Sequence, residues 1–235
     1  MDLTETAVQR IRQLVVSGEL APGDRLPPEA ELAAQLGISR GSLREAVRVL
    51  AHARVLDVRR GDGTYVTSLE PGLLLSGLGF VSDLMHGPTL LEVFEVRRLL
   101  EPAATALAAV RISSDEIEAL RLSLARMRAS TDPAEQVALD IEFHALVGAA
   151  TGNETLCAVL DAMSRGALRA RTWRGYADNA RMTWALDHHE QIIDALEIRD
   201  GVLAQAVATV HLTASERWLR EFLRPDEDSA TAAAG

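Results

Sequence analysis

Apolar residues recur at helical spacing along almost the whole chain, and a single stretch breaks that rhythm. Between residues 55 and 67, Val55, Leu56 and Val58, then Tyr65 and Val66, flank Arg60-Gly61-Asp62-Gly63. Two short β-rich runs about a glycine turn predict a hairpin. The rest predicts helix, so the fold class is mainly α: a small front part with one hairpin, then an all-helical bundle. Ser68-Leu69-Glu70-Pro71-Gly72 breaks helices and suits a linker. The expected organisation is a front domain over 1–68, a linker over 69–74, a helical domain over 75–222 and a flexible tail over 223–235.

The 235 residues, 48% apolar and 25% charged, are enough for one or two globular domains. Net charge is −10, from 24 basic and 34 acidic residues, which excludes a uniformly basic nucleic-acid coat but not a local patch. Every basic residue is arginine, a mark of GC-rich coding rather than of mechanism. The single cysteine, Cys157, cannot form an internal disulfide. Met1-Asp2-Leu3-Thr4-Glu5 lacks the charged-then-apolar order of a signal peptide. The most apolar stretch, Leu73 to Val81, falls far short of the ~20 residues that span a bilayer. A cytoplasmic location is expected.

In the second part, helices are expected near 73–85, 89–111, 114–129, 133–150, 153–174, 178–199 and 201–222. Ser113-Ser114-Asp115-Glu116 supplies capping and first-turn acidic residues, and Thr131-Asp132-Pro133 puts proline in a first turn. Gly152-Asn153 and Asp200-Gly201 separate neighbouring segments.

Residues 28–53 hold two helical patterns joined by Leu36-Gly37-Ile38-Ser39. Gly37 can take the left-handed conformation that stops a helix, and Ser39 can cap the next. In that next helix Leu43, Val47 and Leu50 form an inward stripe, while Arg40, Arg44 and Arg48 form another that must point elsewhere. Between residues 40 and 60 stand six arginines against two acids, a local +4. That is the footprint of a recognition helix in a major groove, where the arginine fork grips guanine O6 and N7 together. A merely solvated arginine stripe is the plainer alternative.

The run Gly23-Asp24-Arg25-Leu26-Pro27-Pro28-Glu29, then Glu31-Leu32-Ala33, Leu36-Gly37-Ile38-Ser39-Arg40, Leu43-Arg44-Glu45-Ala46 and Gly61-Asp62-Gly63-Thr64-Tyr65-Val66 resembles the GntR superfamily of bacterial regulators. The resemblance covers nearly all of residues 8–67 and implies a winged helix-turn-helix. It further implies that Arg40 and Arg44 read bases, that Ser39, Gly41 and Ser42 lie near phosphates, and that Arg60-Gly61 at the wing tip enters the minor groove. Two residues depart from the family pattern. Ala30 stands where many relatives carry a DNA-binding arginine, and Arg54 replaces a glycine usual before the hairpin, so that turn must differ or strain.

Three helical patterns of the second part carry ionisable residues on their apolar faces. Val137, Asp140, His144 and Val147 share one face; Met182, Leu186, His189, Ile193 and Leu196 another; Val207, His211, Ala214 and Trp218 a third. Burying such groups is costly unless they pair or bind a metal. One carboxylate and three imidazoles suit a divalent transition metal, zinc first, with nickel or manganese as alternatives. For any single histidine, a hydrogen bond to a backbone carbonyl is the commoner fate.

Val96-Arg97 with Leu100-Glu101, Asp140-Ile141-Glu142-Phe143-His144, His189 with Ile192, and His211-Leu212 resemble the FCD effector domain of the FadR branch of that family. In its metal-binding members the positions matching Asp140, His144, His189 and His211 are the ligands. The acyl-CoA-binding regulator that names the branch lacks this set, which argues against a fatty acyl-CoA effector. His188 is assigned to another face, near Trp184, and is not expected to ligate. Arg97 lies on the stripe Leu90, Val93, Leu100, Ala104, Leu107. It forms either an internal ion pair with Glu101 or a guanidinium contact to an effector carboxylate. Arg98 is expected to face solvent or the front domain. Trp173, Trp184 and Trp218 are read as core or interface residues, and Cys157 as a packed small residue.

Together these point to a ligand-responsive transcription regulator, a repressor, acting as a homodimer on an imperfectly palindromic duplex operator. The resemblance implies an inverted repeat of the GT…AC type and a small organic acid as effector. The rival classes are a metal-dependent enzyme, in which an Asp/His centre activates water, and a metal sensor without an organic effector.

Overall fold

The computed structural model describes residues 3–77, 88–164 and 179–223. Three sequence expectations lie outside those residues: the part of the 73–85 helix beyond Gly77, the end of the 153–174 helix with Trp173, and the tail from Arg224. The chain separates into two compact units, Met1–Gly77 and Leu78–Gly235.

In the first unit, helix α1 (Leu3–Val16), α2 (Glu29–Leu36) and α3 (Arg40–His52) precede a hairpin of β1 (Leu56–Arg59) and β2 (Gly63–Val66). Gly37 ends α2 at φ 61°, and its amide donates to the α2 carbonyls of Ala33 and Ala34. Two residues later the Ser39 hydroxyl accepts from the Ser42 amide and starts α3. These paired devices set the turn between the helices. Leu43, Ala46 and Leu50 of α3 are buried with Ala7, Ile11, Leu32, Leu56 and Val66. Full burial of a leucine such as Leu43 contributes about 1.5–3 kcal/mol.

The antiparallel register pairs Leu56 with Val66 and Arg59 with Gly63, leaving Arg60, Gly61 and Asp62 as the turn. Leu56 and Val66 face the core while Val58 is exposed, the alternation expected of a sheet wet on one side. An isolated bridge from Arg25 to Tyr65 adds a third strand position, completing the winged helix-turn-helix.

The expected linker departs from the sequence reading. Pro71–Leu74 forms a short helix, α4, with Pro71 at its first position and Glu70 as its cap. A proline there sacrifices no intrahelical hydrogen bond and has its φ already set, so the residue read as a breaker is a starter.

The second unit contains α5 (Pro88–Arg111), α6 (Ser114–Ala129), α7 (Pro133–Ala149), α8 (Glu154–Ser164), α9 (Asn179–Glu197) and α10 (Gly201–Phe222). Among them lie Phe143, Ile112, Leu120, Met127, Ile193, Leu196 and Leu212, all nearly sealed from solvent. The α6 start is a capping box, with the Ser113 hydroxyl and the Glu116 carboxylate each accepting the other residue's amide hydrogen. Asp132 caps α7 ahead of Pro133, and Asp200 caps α10 by accepting from the amides of Val202 and Leu203.

α5 and α10 run along one another as the most extensive helix pair. A side chain at Gly201 would sit 3.1 Å from the Ala106 carbonyl oxygen, so the entry of α10 demands a residue this small. Arg199, itself at φ 56°, donates to the carbonyls of Val110 and Ile112 and ties the end of α5 to the end of α9. No described helix is long and apolar enough to cross a membrane.

Candidate functional site

On the first unit, α3 displays Arg40, Arg44 and Arg48 to solvent, opposite its buried stripe. Ser39 and Ser42 are engaged in the cap, with their hydroxyls 2.9 Å apart, and Gly41 is exposed beside them. A helix N-terminus with free amides and small residues lets a phosphate approach closely. At the wing tip Arg60 is exposed and Gly61 takes φ 78°. The wing is braced from behind: Arg25 donates to the Asp62 carbonyl, Tyr65 donates to the Asp62 carboxylate at 3.0 Å, and the Arg59 guanidinium lies 4.2 Å from the Tyr65 ring centre. Gly63 is confined by the Arg25 guanidinium, 2.5 Å from where a Cβ would stand.

The two departures from the sequence pattern have structural outcomes. Arg54 takes φ 60°, so the glycine-type conformation is kept and an arginine bears its strain. Ala30 is exposed on α2 and offers no cation.

In the second unit, period-3.6 spacing directs Asp140 and His144 of α7, His189 of α9 and His211 of α10 to one interior point. One nitrogen from each of the three imidazoles lies within 4.8 Å of the others. Asp140 Oδ1 stands 3.5 Å from His189 Nε2 and 3.7 Å from His144 Nε2. Asp140, His189 and His211 are buried, and His144 nearly so. The His189 ring stacks on Phe143 with centres 4.3 Å apart, which holds its orientation. Burial, reinforced by neighbouring His189 and His144, holds the His211 pKa well below the ordinary histidine value. A neutral imidazole is the form that coordinates a metal.

The donor chemistry fits a borderline-soft divalent cation. His144 Nε2 and His211 Nδ1 are buried with no hydrogen-bond partner among the described residues. Leaving such atoms unsatisfied costs about 1–3 kcal/mol each, which a shared cation would remove. Three nitrogens and one carboxylate oxygen are ligands for zinc or a neighbouring transition metal.

Glu101 is the member that the sequence reading assigned only to an ion pair. Its Oε2 accepts from His144 Nδ1 at 3.0 Å, while its Oε1 accepts from Arg97 Nε at 2.5 Å. Both Arg97 and Glu101 are buried on α5. A carboxylate on the outer nitrogen of a ligating histidine fixes the tautomer that presents the inner one. The signal for this was the i, i+4 spacing of Arg97 and Glu101 on an apolar stripe; what it lacked was any link to His144.

The ion-pair alternative for Arg97 is therefore present, and its guanidinium also lies 4.7 Å from the Phe94 ring centre. Arg98 stays partly exposed to solvent, as expected, and also pairs with Glu216 of α10 at 3.2 Å, because the α5–α10 contact brings that carboxylate alongside. His188 lies against Trp184, ring centres 4.1 Å apart, yet it is buried and only 6.0 Å from the His211 ring, so its face adjoins the cluster rather than avoiding it. Trp218 is core, packed with Leu90, Phe94 and Leu219. Cys157 is half-buried near Gly148, and desolvation pushes its thiol pKa up.

Comparison with known proteins places both units. Residues 3–66 match the family described as bacterial regulatory proteins, gntR family, and residues 92–214 match the FCD domain. The chain belongs to the GntR family and carries an FCD domain. The galactonate operon transcriptional repressor of Escherichia coli K12 is 31% identical over 228 residues, covering 94% of this chain and 99% of the relative. The Uxu operon transcriptional regulator of the same organism is 30% identical, covering 92% and 86%. A solved GntR structure from Streptococcus agalactiae superimposes with a TM-score of 0.66 at 29% identity, over 91% of this chain and 99% of that one. This GntR-family chain is a transcriptional regulator. Its relatives and its fold are those of regulators and not of enzymes, which removes the hydrolytic alternative. Asp140, His144, His189 and His211 all fall within the FCD match.

Proposed function

We propose that this regulator is a repressor whose operator affinity is set by a small carboxylate bound at a metal centre of Asp140, His144, His189 and His211. The observation that carries the reading is the meeting of three imidazoles and a carboxylate, contributed by three helices, in a buried place. When bound, a transition-metal cation able to exceed four-coordination would offer its remaining positions to an anionic oxygen. Asp140 lowers the charge of the centre, Glu101 orients His144, and Arg97 holds Glu101 while offering positive charge to a second carboxylate oxygen. The effector acts through unequal affinity for two arrangements of α7, α9 and α10, one of which suits operator binding.

The names of two relatives support a particular effector class. One is named for a galactonate operon and another, 28% identical, for an L-lactate dehydrogenase operon. Galactonate and lactate are both 2-hydroxy acids, able to present a carboxylate and an adjacent hydroxyl together. On the DNA side, Arg40 and Arg44 read base edges, Ser39, Gly41 and Ser42 meet phosphates, and Arg60-Gly61 enters the minor groove. A homodimer on an imperfect palindrome, in the cytoplasm, completes the proposal.

The test combines elemental analysis of purified protein with operator binding, the operator being a duplex selected from a random library by the protein itself. The expected result is about one transition-metal ion per chain, lost in a His144→Ala, His211→Ala double variant. Galactonate or L-lactate should weaken operator binding of the wild type and not of that variant. Protein free of transition metal under every preparation would overturn the metal centre. Metal-dependent operator affinity indifferent to every 2-hydroxy acid would favour the metal sensor.

A further inference from the structure

Three arginines project from α3, and the structure restrains each differently. Arg40 makes no ion pair among the described residues, and Arg48 leans on Glu45 of its own helix at 2.6 Å. Arg44 is held from another element: the carboxylate of Glu29, the first residue of α2, stands 2.9 Å from its Nε. Arg44 stays 64% exposed and makes no other hydrogen bond or ion pair among the described residues. Contact through Nε restrains the guanidinium and leaves both terminal nitrogens without a hydrogen-bond partner among the described residues. Those nitrogens form the fork that spans guanine O6 and N7.

Glu29 is costly where it stands. It lines a groove of about 580 Å³ together with Arg25, Arg44 and Arg48, and its carboxylate repels any phosphate that approaches those arginines. Repulsion of phosphate weakens binding to duplex of every sequence alike, while restraint of Arg44 favours the sequence in which the fork finds its base.

We propose that Glu29 is a positioning residue for sequence discrimination: it aims the Arg44 fork and suppresses indiscriminate binding to DNA. The proposal rests on the reading of Arg44 as a base contact, and the test separates the two. Full-length protein is titrated onto its selected operator and onto a scrambled duplex of equal length, across a range of salt concentrations. Glu29→Ala and Glu29→Gln should each lower the operator-to-scrambled affinity ratio about tenfold, with affinity for the scrambled duplex unchanged or higher. Thermal melts identify any variant that fails to fold, and the isosteric Gln variant then carries the measurement.

In an Arg44→Ala background, Glu29→Ala should lower the ratio no further, since the group it aims is gone. An unchanged ratio in both Glu29 variants, beside a collapsed ratio in Arg44→Ala, would overturn the positioning role and leave Arg44 as the reader. An unchanged ratio in Arg44→Ala would overturn the base contact itself, and the role of Glu29 with it.

Discussion

Arg54 holds φ 60° just before the hairpin, with its carbonyl accepting from the Thr67 hydroxyl at 2.7 Å. A side chain in that region costs about 1–2 kcal/mol, partly offset in a glycine by the greater freedom of its unfolded chain. Arg54→Gly should therefore raise stability by about 0.5–1 kcal/mol, read as a shifted urea midpoint with unchanged slope. Glu101 offers a second test. Glu101→Gln should weaken metal affinity about 10- to 100-fold while leaving the ligands in place, measured by competition with a chelating dye. Arg97→Ala should leave metal bound and diminish the response to the 2-hydroxy acid. A response equal to wild type would reduce Arg97 to its ion pair with Glu101.

Among elements, the starts of helices were the most legible part of the chain. Ser113, Asp132 and Asp200 cap α6, α7 and α10 where polar residues precede apolar periodicity, since a capping residue acts on amides two or three positions away. Ser113→Ala should destabilise by about 1 kcal/mol. The Ser113 amide and hydroxyl also hold the Glu116 carboxyl below its ordinary pKa of 4.5. That contribution is present above pH 4.5 and lost as pH falls through the lowered folded-state value, so Ser113→Ala should lose less stability on acidification than wild type. Equal acid sensitivity would assign the lowering to the backbone amide, which the alanine variant keeps, and not to the hydroxyl. The Pro71 start was misread because its cue, a proline after polar residues, is shared by linkers and first turns.

For the whole molecule, a chain of net charge −10 can bind DNA only through a local concentration of arginine, and α3 with the wing displays one. The centre in the second unit joins α7, α9 and α10 and, through Glu101, α5. Metal binding should therefore stabilise that unit as a body. A cation present at a thousand times its dissociation constant adds about 4 kcal/mol. Chelation should lower the melting temperature of wild type, and the His144→Ala, His211→Ala variant should show no such drop.

The amino-acid sequence by itself determined which residues turn inward. Helical and strand periods set the direction of a side chain about its own axis, so the stripes with Asp140, His144, His189 and His211, the outward arginines of α3 and the hairpin at Arg60 could all be read along the chain. Distance between elements was another matter. That the three imidazoles share one point, that Glu101 joins Arg97 to His144, that Arg98 meets Glu216 and that Glu29 reaches Arg44 all depend on how separate helices pack. Packing is decided by the summed burial of side chains far apart in sequence, which no local period encodes.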